Sequence, residues 1–146
     1  MRLVVLDTDV IVSAAIKPGS APARLVMDWV LEGQIQVVTS PSVVGEYREV
    51  VRRTKFQRYG FPPHWLEFLI EESLRLPGPP TWARRGPDPK DMPFLALANL
   101  AGAWLVTGNL KHFPAAIRNG VTVLPPAEYL THLGGDLRPL SEYRTA

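Results

Sequence analysis

The chain has 146 residues, a formal net charge of +2 and a sequence pI near 9.2. That length suits one hydrophobic core and is short for two, and 46% hydrophobic with 21% charged residues is globular rather than disordered composition. The lack of cysteine excludes disulfides, thiolate metal sites and cysteine nucleophiles, and the mild basic excess permits a polyanionic partner without requiring one. No stretch approaches the ~20 apolar residues of a membrane span and the opening lacks the apolar core of a signal peptide, so a cytoplasmic protein is expected.

Leu3, Val4, Val5 and Leu6 run without period-two alternation into Asp7, Thr8 and Asp9. Such a run predicts a strand covered on both faces, as in a parallel sheet flanked by helices. Ligands of such sheets bind outside the carboxyl ends of the strands, which is where Asp7 stands. A short helix over 9–15 is stopped by Lys17-Pro18-Gly19. Ser20 reads as an N-cap with Pro22 in the first turn, and Leu25, Val26, Trp29 and Val30 share a face before Gly33.

A second strand is expected over 35–39, followed at once by Ser40-Pro41, a cap and proline that open a helix through about residue 53. Its stripe is Val43, Val44, Tyr47, Val50 and Val51, with Glu46 at the edge; the end is basic, with Arg48, Arg52, Arg53, Lys55 and Arg58. Helical spacing continues over 64–76. Five prolines and two glycines in 77–89 predict a loop, and loops of that length are often functional. It ends in Asp88-Pro89-Lys90-Asp91, with Asp91 at a helix start and Gly102 as the stop.

A third parallel strand over 103–106 ends at Thr107-Gly108-Asn109, a turn carries His112 and Phe113, a fourth strand covers 121–124, and a helix covers 126–133. Phe113 is expected in the core, and Trp29, Trp65, Trp82 and Trp104 in core or interface, Trp82 being the most exposed of them. His64 and His132 have no partners at metal-ligand spacing. Strands alternating with helices predict a three-layer α/β/α sandwich around a mostly parallel sheet of four to five strands. Residues 1–133 are read as one domain and 134–146 as a polar tail.

Asp7, Glu46, Asp91 and Asn109 all occupy positions compatible with one edge of that sheet. Each also has an ordinary role: Asp7 and Asp91 as helix caps, Glu46 as a solvated helix residue, Asn109 as a turn residue chosen for backbone tolerance, and Asp9 as a cap or a partner to the site. Three acids gathered without a base repel one another and shift toward protonation unless a cation sits among them. Oxygen-only ligands select Mg²⁺ or Mn²⁺, and phosphodiester hydrolysis is the chemistry such an ion serves.

The segments LVVLDTDVIVSA, SPSVVGEYREVVRR, DPKDMPFLALANLAGAWLVTGN and VTVLPPAEYL together resemble PIN domains, in particular the branch of toxins from toxin–antitoxin pairs related to VapC-type ribonucleases. The resemblance runs from Leu3 to about Leu130. It implies a Mg²⁺- or Mn²⁺-dependent endoribonuclease with Asp7, Glu46 and Asp91 as catalytic metal ligands and Asn109, after Thr107, as the fourth. Asp88 matches a leading acid of the branch. Asp9 stands where asparagine is more usual, and Asn109 is neutral where many members have aspartate. A homodimer and a small antitoxin partner are implied as well. Arg52, Arg53, Lys55 and Arg58 and, in the long loop, Arg84 and Arg85 are candidate contacts for RNA phosphates, against the ordinary reading of a solvated charged face.

Two other readings compete. Asp7-Thr8-Asp9 after an apolar strand also resembles the nucleophile and acid of a haloacid-dehalogenase-type phosphohydrolase, though 107–109 supplies none of the later acids that chemistry uses. A non-catalytic RNA-binding or interaction module would keep the fold without the activity.

Overall fold

In the structure, a computed structural model, residues 2–78, 82 and 86–134 are described. Five strands, β1 (Arg2–Leu6), β2 (Ile35–Thr39), β3 (Leu74–Arg75), β4 (Trp104–Val106) and β5 (Val123–Leu124), form an all-parallel sheet in the order β3-β2-β1-β4-β5. β1 lies at its centre. Arg2, Leu3 and Val4 face Ile35, Gln36 and Val37 on one side, while Val4, Val5 and Leu6 face Trp104, Leu105 and Val106 on the other. Val4, Val5 and Leu6 are wholly buried, so helices cover both faces, as the unalternating apolar run predicts.

Seven helices connect and flank the strands: α1 (Thr8–Ile16), α2 (Ala21–Arg24), α3 (Pro41–Val51), α4 (Leu66–Glu72), α5 (Met92–Ala101), α6 (Ala115–Arg118) and α7 (Pro126–Gly134). The chain beyond α2 continues in π-helical turns over Leu25–Val30, which bury Leu25, Val26 and Trp29. α5 packs against β1, β2 and β4 and meets α3. Phe94, Leu95, Ala96, Leu97 and Ala98 are all buried, and a helix apolar on every side belongs inside. Gly102 closes it with φ 65°, a conformation that favours glycine.

Three expectations change. Residues 64–76 are not one helix: α4 stops at Glu72 and Leu74–Arg75 pairs with Val38 and Thr39 as the edge strand. Ser73 makes the switch, its hydroxyl bonding the Ile70 carbonyl at 2.6 Å and the Thr39 hydroxyl at 2.7 Å, and Leu76 N–H donates to Thr39 O at 2.9 Å. Trp82 is half-buried rather than exposed, because its indole N–H reaches the Ile117 carbonyl at 2.8 Å and the ring packs on the core. The fourth expected strand shrinks to Val123–Leu124. Arg84, Arg85 and residues 135–146 of the expected tail lie outside the described residues.

The order of the strands fixes where a site belongs. From β1 the chain moves outward to β2 and β3, then crosses back to the other side of β1 for β4 and β5. The direction reverses between β1 and β4, and the crevice at the carboxyl ends of those two strands is the topological switch point.

A candidate active site at the switch point

Asp7 follows β1 and Thr107-Gly108-Asn109 follows β4, so the two face each other across that crevice. Asp7 N–H donates to Val106 O at 2.9 Å, tying the two strand ends together. The side chain of Asp7 stands at the N-cap of α1, but its bonds are unusual for a cap. Oδ1 accepts from the adjacent Thr8 N–H at 2.7 Å and Oδ2 from the Thr107 hydroxyl at 2.8 Å, whereas an ordinary cap reaches the second or third N–H of its helix. Asp7 is 6% exposed. Burial, then the neighbouring charges of Asp9 and Asp91, push its carboxyl up to about 7 against the Thr107 and Thr8 donors.

Glu46 comes to the crevice from α3. The buried Tyr47 beside it donates its hydroxyl to Leu6 O at the end of β1, which fixes that turn of α3 against the strand end. Glu46 Oε2 accepts the hydroxyl of Thr8. Burial and the charges of Asp7 and Glu46 raise the Tyr47 phenol well above its ordinary value, so it stays a donor.

Asp91 arrives by the turn Pro89–Asp91 at the head of α5. Its side chain makes no capping bond to that helix. The cap of the preceding turn is Asp88, whose Oδ1 accepts Lys90 N–H at 2.9 Å. Asp91 is 8% exposed, and its buried Oδ2 has no aligned hydrogen-bond donor; its near neighbour is His112 Nδ1 at 2.8 Å. Burial raises the carboxyl, helped by Asp88 and Glu46 and opposed by His112.

Asp7, Glu46, Asp91, Asp88 and Asn109 border one cleft of about 390 Å³, together with Asp9 and His112. Asn109 has φ −133°, outside the left-handed region, so a positive φ is not the reason for asparagine there. Thr107 is wholly buried and holds both sides of the crevice, donating to Asp7 and accepting Asn109 N–H at 3.0 Å. Arg53 borders the same cleft, whereas Arg52 borders a separate depression with Arg48, Pro63 and Glu67. Arg85 is outside the described residues.

Two residues of the cleft, Asp9, expected as a cap or a partner to the site, and His112, have contacts that show only in three dimensions. Asp9 Oδ1 accepts Gly108 N–H at 3.2 Å, and a Cβ on Gly108 would sit 2.8 Å from Asp9 Oδ2, so a side chain there would push the Asp9 carboxylate aside. Burial raises the Asp9 carboxyl. His112, on the turn Leu110–His112, reaches Asp91. The sequence signal for both was the Thr107-Gly108-Asn109 turn, whose glycine admits a side chain and whose continuation swings His112 back.

The donor set suits a hard divalent cation. Every side-chain ligand offered by the acids is oxygen, no thiolate exists in the chain, and burial raises the carboxyls of Asp7, Asp9 and Asp91, with repulsion from neighbouring acids adding to it at Asp7 and Asp91, a cost that a cation would relieve. The buried Oδ2 of Asp91, which has His112 Nδ1 beside it at 2.8 Å but no aligned donor, fits the same reading. Among the described residues no three acidic or imidazole side chains converge into a cage by themselves. An ion here would complete its shell with water, as magnesium commonly does.

An oxygen-rich acidic cleft at the switch point of a parallel sheet places the chain among α/β proteins with a candidate metal-dependent active site. The profile of the PIN domain family matches residues 3–111, well over half of the chain, and the chain belongs to that family, a family of nucleases. The solved structures it resembles include VapBC2 from Rickettsia felis bound to a DNA fragment from their promoter, with 17% identity over 83% of this chain and 96% of that one and a TM-score of 0.56. FitAcB from Neisseria gonorrhoeae gives 17% identity over 85% and 98% with a TM-score of 0.55, and PAE2754 from Pyrobaculum aerophilum 15% over 92% and 91% with 0.60. At such identities the likeness is one of fold. No match to a curated protein was found. Membership of the family removes the phosphohydrolase alternative, whose nucleophile Asp7 only imitates.

Proposed function

We propose that the chain is a divalent-metal-dependent endoribonuclease and the toxin of a toxin–antitoxin pair, acting in the cytoplasm as a homodimer. The observation that carries the chemistry is Asp91: a buried carboxylate at a helix start that does not cap its helix, keeps one oxygen without an aligned donor and faces Asp7 and Glu46. The toxin role is supported by the family and by the fold shared with VapBC2 and FitAcB, and it makes a small antitoxin the expected partner. Residues 1–133 would form the nuclease domain.

Asp7, Glu46 and Asp91, with Asn109, would hold Mg²⁺ or Mn²⁺. When bound, the ion supplies positive charge that offsets the negative charge gathering on the phosphoryl group in the transition state. The other residues keep the ligands in place. Thr107 fixes Asp7, Thr8 fixes Glu46, and Tyr47 fixes the helix that carries Glu46. Hydrolysis forms one P–O bond from water and breaks the bond to one ribose oxygen, which leaves with the proton from water. Arg53 at the cleft and Arg52 in the neighbouring depression would meet flanking phosphates, and Arg85 is a further candidate from the sequence alone.

Purified protein incubated with unstructured RNA and Mn²⁺ should cleave it, and Asp7→Asn should not, with an unchanged circular dichroism spectrum. Equal cleavage by both proteins would contradict the assignment. Absence of cleavage with RNA binding intact in both would favour a non-catalytic module.

A further inference from the structure

The floor of the cleft is acidic, and a polyanion would be repelled there without attraction from the rim. Part of that rim is the turn Thr54–Tyr59 after α3, in which Lys55, Phe56, Arg58 and Tyr59 interleave charge with aromatic rings. Phe56 stacks on Phe61, the centroids 5.2 Å apart and the planes at 26°, and Phe61 packs against the core. Phe56 itself is half-buried and is not among the described residues that form the core or pack on it. It borders the cleft with Arg53 and Lys55, and Lys90 borders the same cleft from the head of α5. The exposed Lys55 lays its ammonium over the Phe56 ring, 5.0 Å from the centroid, the place a base would take as the ammonium swings to a phosphate.

A ring with a structural role alone would turn inward. Phe56 is instead stacked on another ring, carries the Lys55 ammonium over it and borders the cleft that holds the acids. Charged residues are depleted at the centres of protein interfaces, whereas rings interleaved with cations hold single-stranded nucleic acid, the ring taking a base and the cations the backbone. A base inside a duplex has no face free to stack.

We propose that Phe56, with Lys55 and Arg53, forms a subsite that stacks one unpaired base beside the phosphate to be cut. This rests on the ribonuclease reading of the cleft. The subsite takes any base, because stacking reads a face common to all of them.

The test compares wild type, Phe56→Ala and Phe56→Trp in the full chain, using a short unstructured labelled RNA and a duplex of equal length. Binding is read by fluorescence anisotropy in chelator, and cleavage in Mn²⁺. Phe56→Ala should weaken single-strand binding roughly tenfold, raise KM with kcat little changed and leave duplex binding alone, while Phe56→Trp restores binding. Should Phe56→Ala melt early, Phe56→Leu keeps the bulk, removes the stacking face and carries the test. Unchanged single-strand binding, or equal losses on single strand and duplex, would overturn the subsite. If wild type cleaves no RNA yet Phe56→Ala still loses single-strand binding selectively, the ribonuclease reading falls and the stacking subsite stands.

Discussion

At the head of α3, Ser40 Oγ accepts the Val43 N–H at 3.3 Å and Pro41 fills the first turn; at the head of α5, Pro93 also lies in the first turn, yet the Asp91 carboxylate bonds no helix N–H. Both side chains are buried. Ser40 is used for the stability of its own helix, and the local rule accounts for it fully. Asp91 breaks the rule, leaving one oxygen without an aligned donor beside other acids, and natural sequences break local rules mainly where function needs them broken. The difference between the two helix heads separates scaffold from site.

Exchange of the unused carboxylate should have the largest effect. Asp91→Asn removes a charge and no capping bond, so cleavage in Mn²⁺ should fall by at least about a hundredfold while the thermal midpoint of the metal-free protein holds or rises. A steady-state assay beside a melting curve checks both, and a large loss of stability would return Asp91 to the class of Ser40.

The pH dependence of stability comes next. The Asp7 carboxyl titrates near 3.8 when free and at about 7 in the folded, metal-free protein, so the folded state binds its proton more tightly. The stabilisation is fully present below the free value and is lost as pH rises through 7. Relative to Asp7→Asn, metal-free wild type should lose on the order of 4 kcal/mol between pH 4 and pH 7. Denaturant titrations of the two proteins across that range, with and without Mn²⁺, provide the check; a slope that Mn²⁺ leaves untouched would count against a cation among the acids.

Thr107→Val deletes the hydroxyl that holds Asp7 Oδ2 and should weaken Mn²⁺ binding about tenfold, read by calorimetry. Smallest is the scaffold control: Ser40→Ala should cost about 1 kcal/mol of stability, with Mn²⁺ affinity unchanged.

Much of this plan is legible in the sequence because it is local. The apolar run of β1, the Ser20 and Ser40 caps and the Gly102 stop act within a few residues of themselves, and each forms where its chemistry predicts. β3 is not legible, since two residues carry no periodicity and its partners Val38 and Thr39 lie far back in the chain. Asp7 and Asp91 can be selected from their positions after a strand and at a helix start, whereas Glu46, in the middle of α3, is picked out only by the family resemblance. Asp9 can be read as a cap or a partner to the site, but its bond to Gly108, 99 residues away, cannot, nor can the place of His112, which depends on the fold of a turn that returns to Asp91.

The most direct measurement is the Mn²⁺-induced shift in thermal midpoint of wild type, Ser40→Ala and Asp91→Asn at neutral pH. A cation held by the acidic cleft stabilises only the protein that binds it, so wild type and Ser40→Ala should rise together and Asp91→Asn should not. Equal shifts in all three, or none in any, would contradict the account.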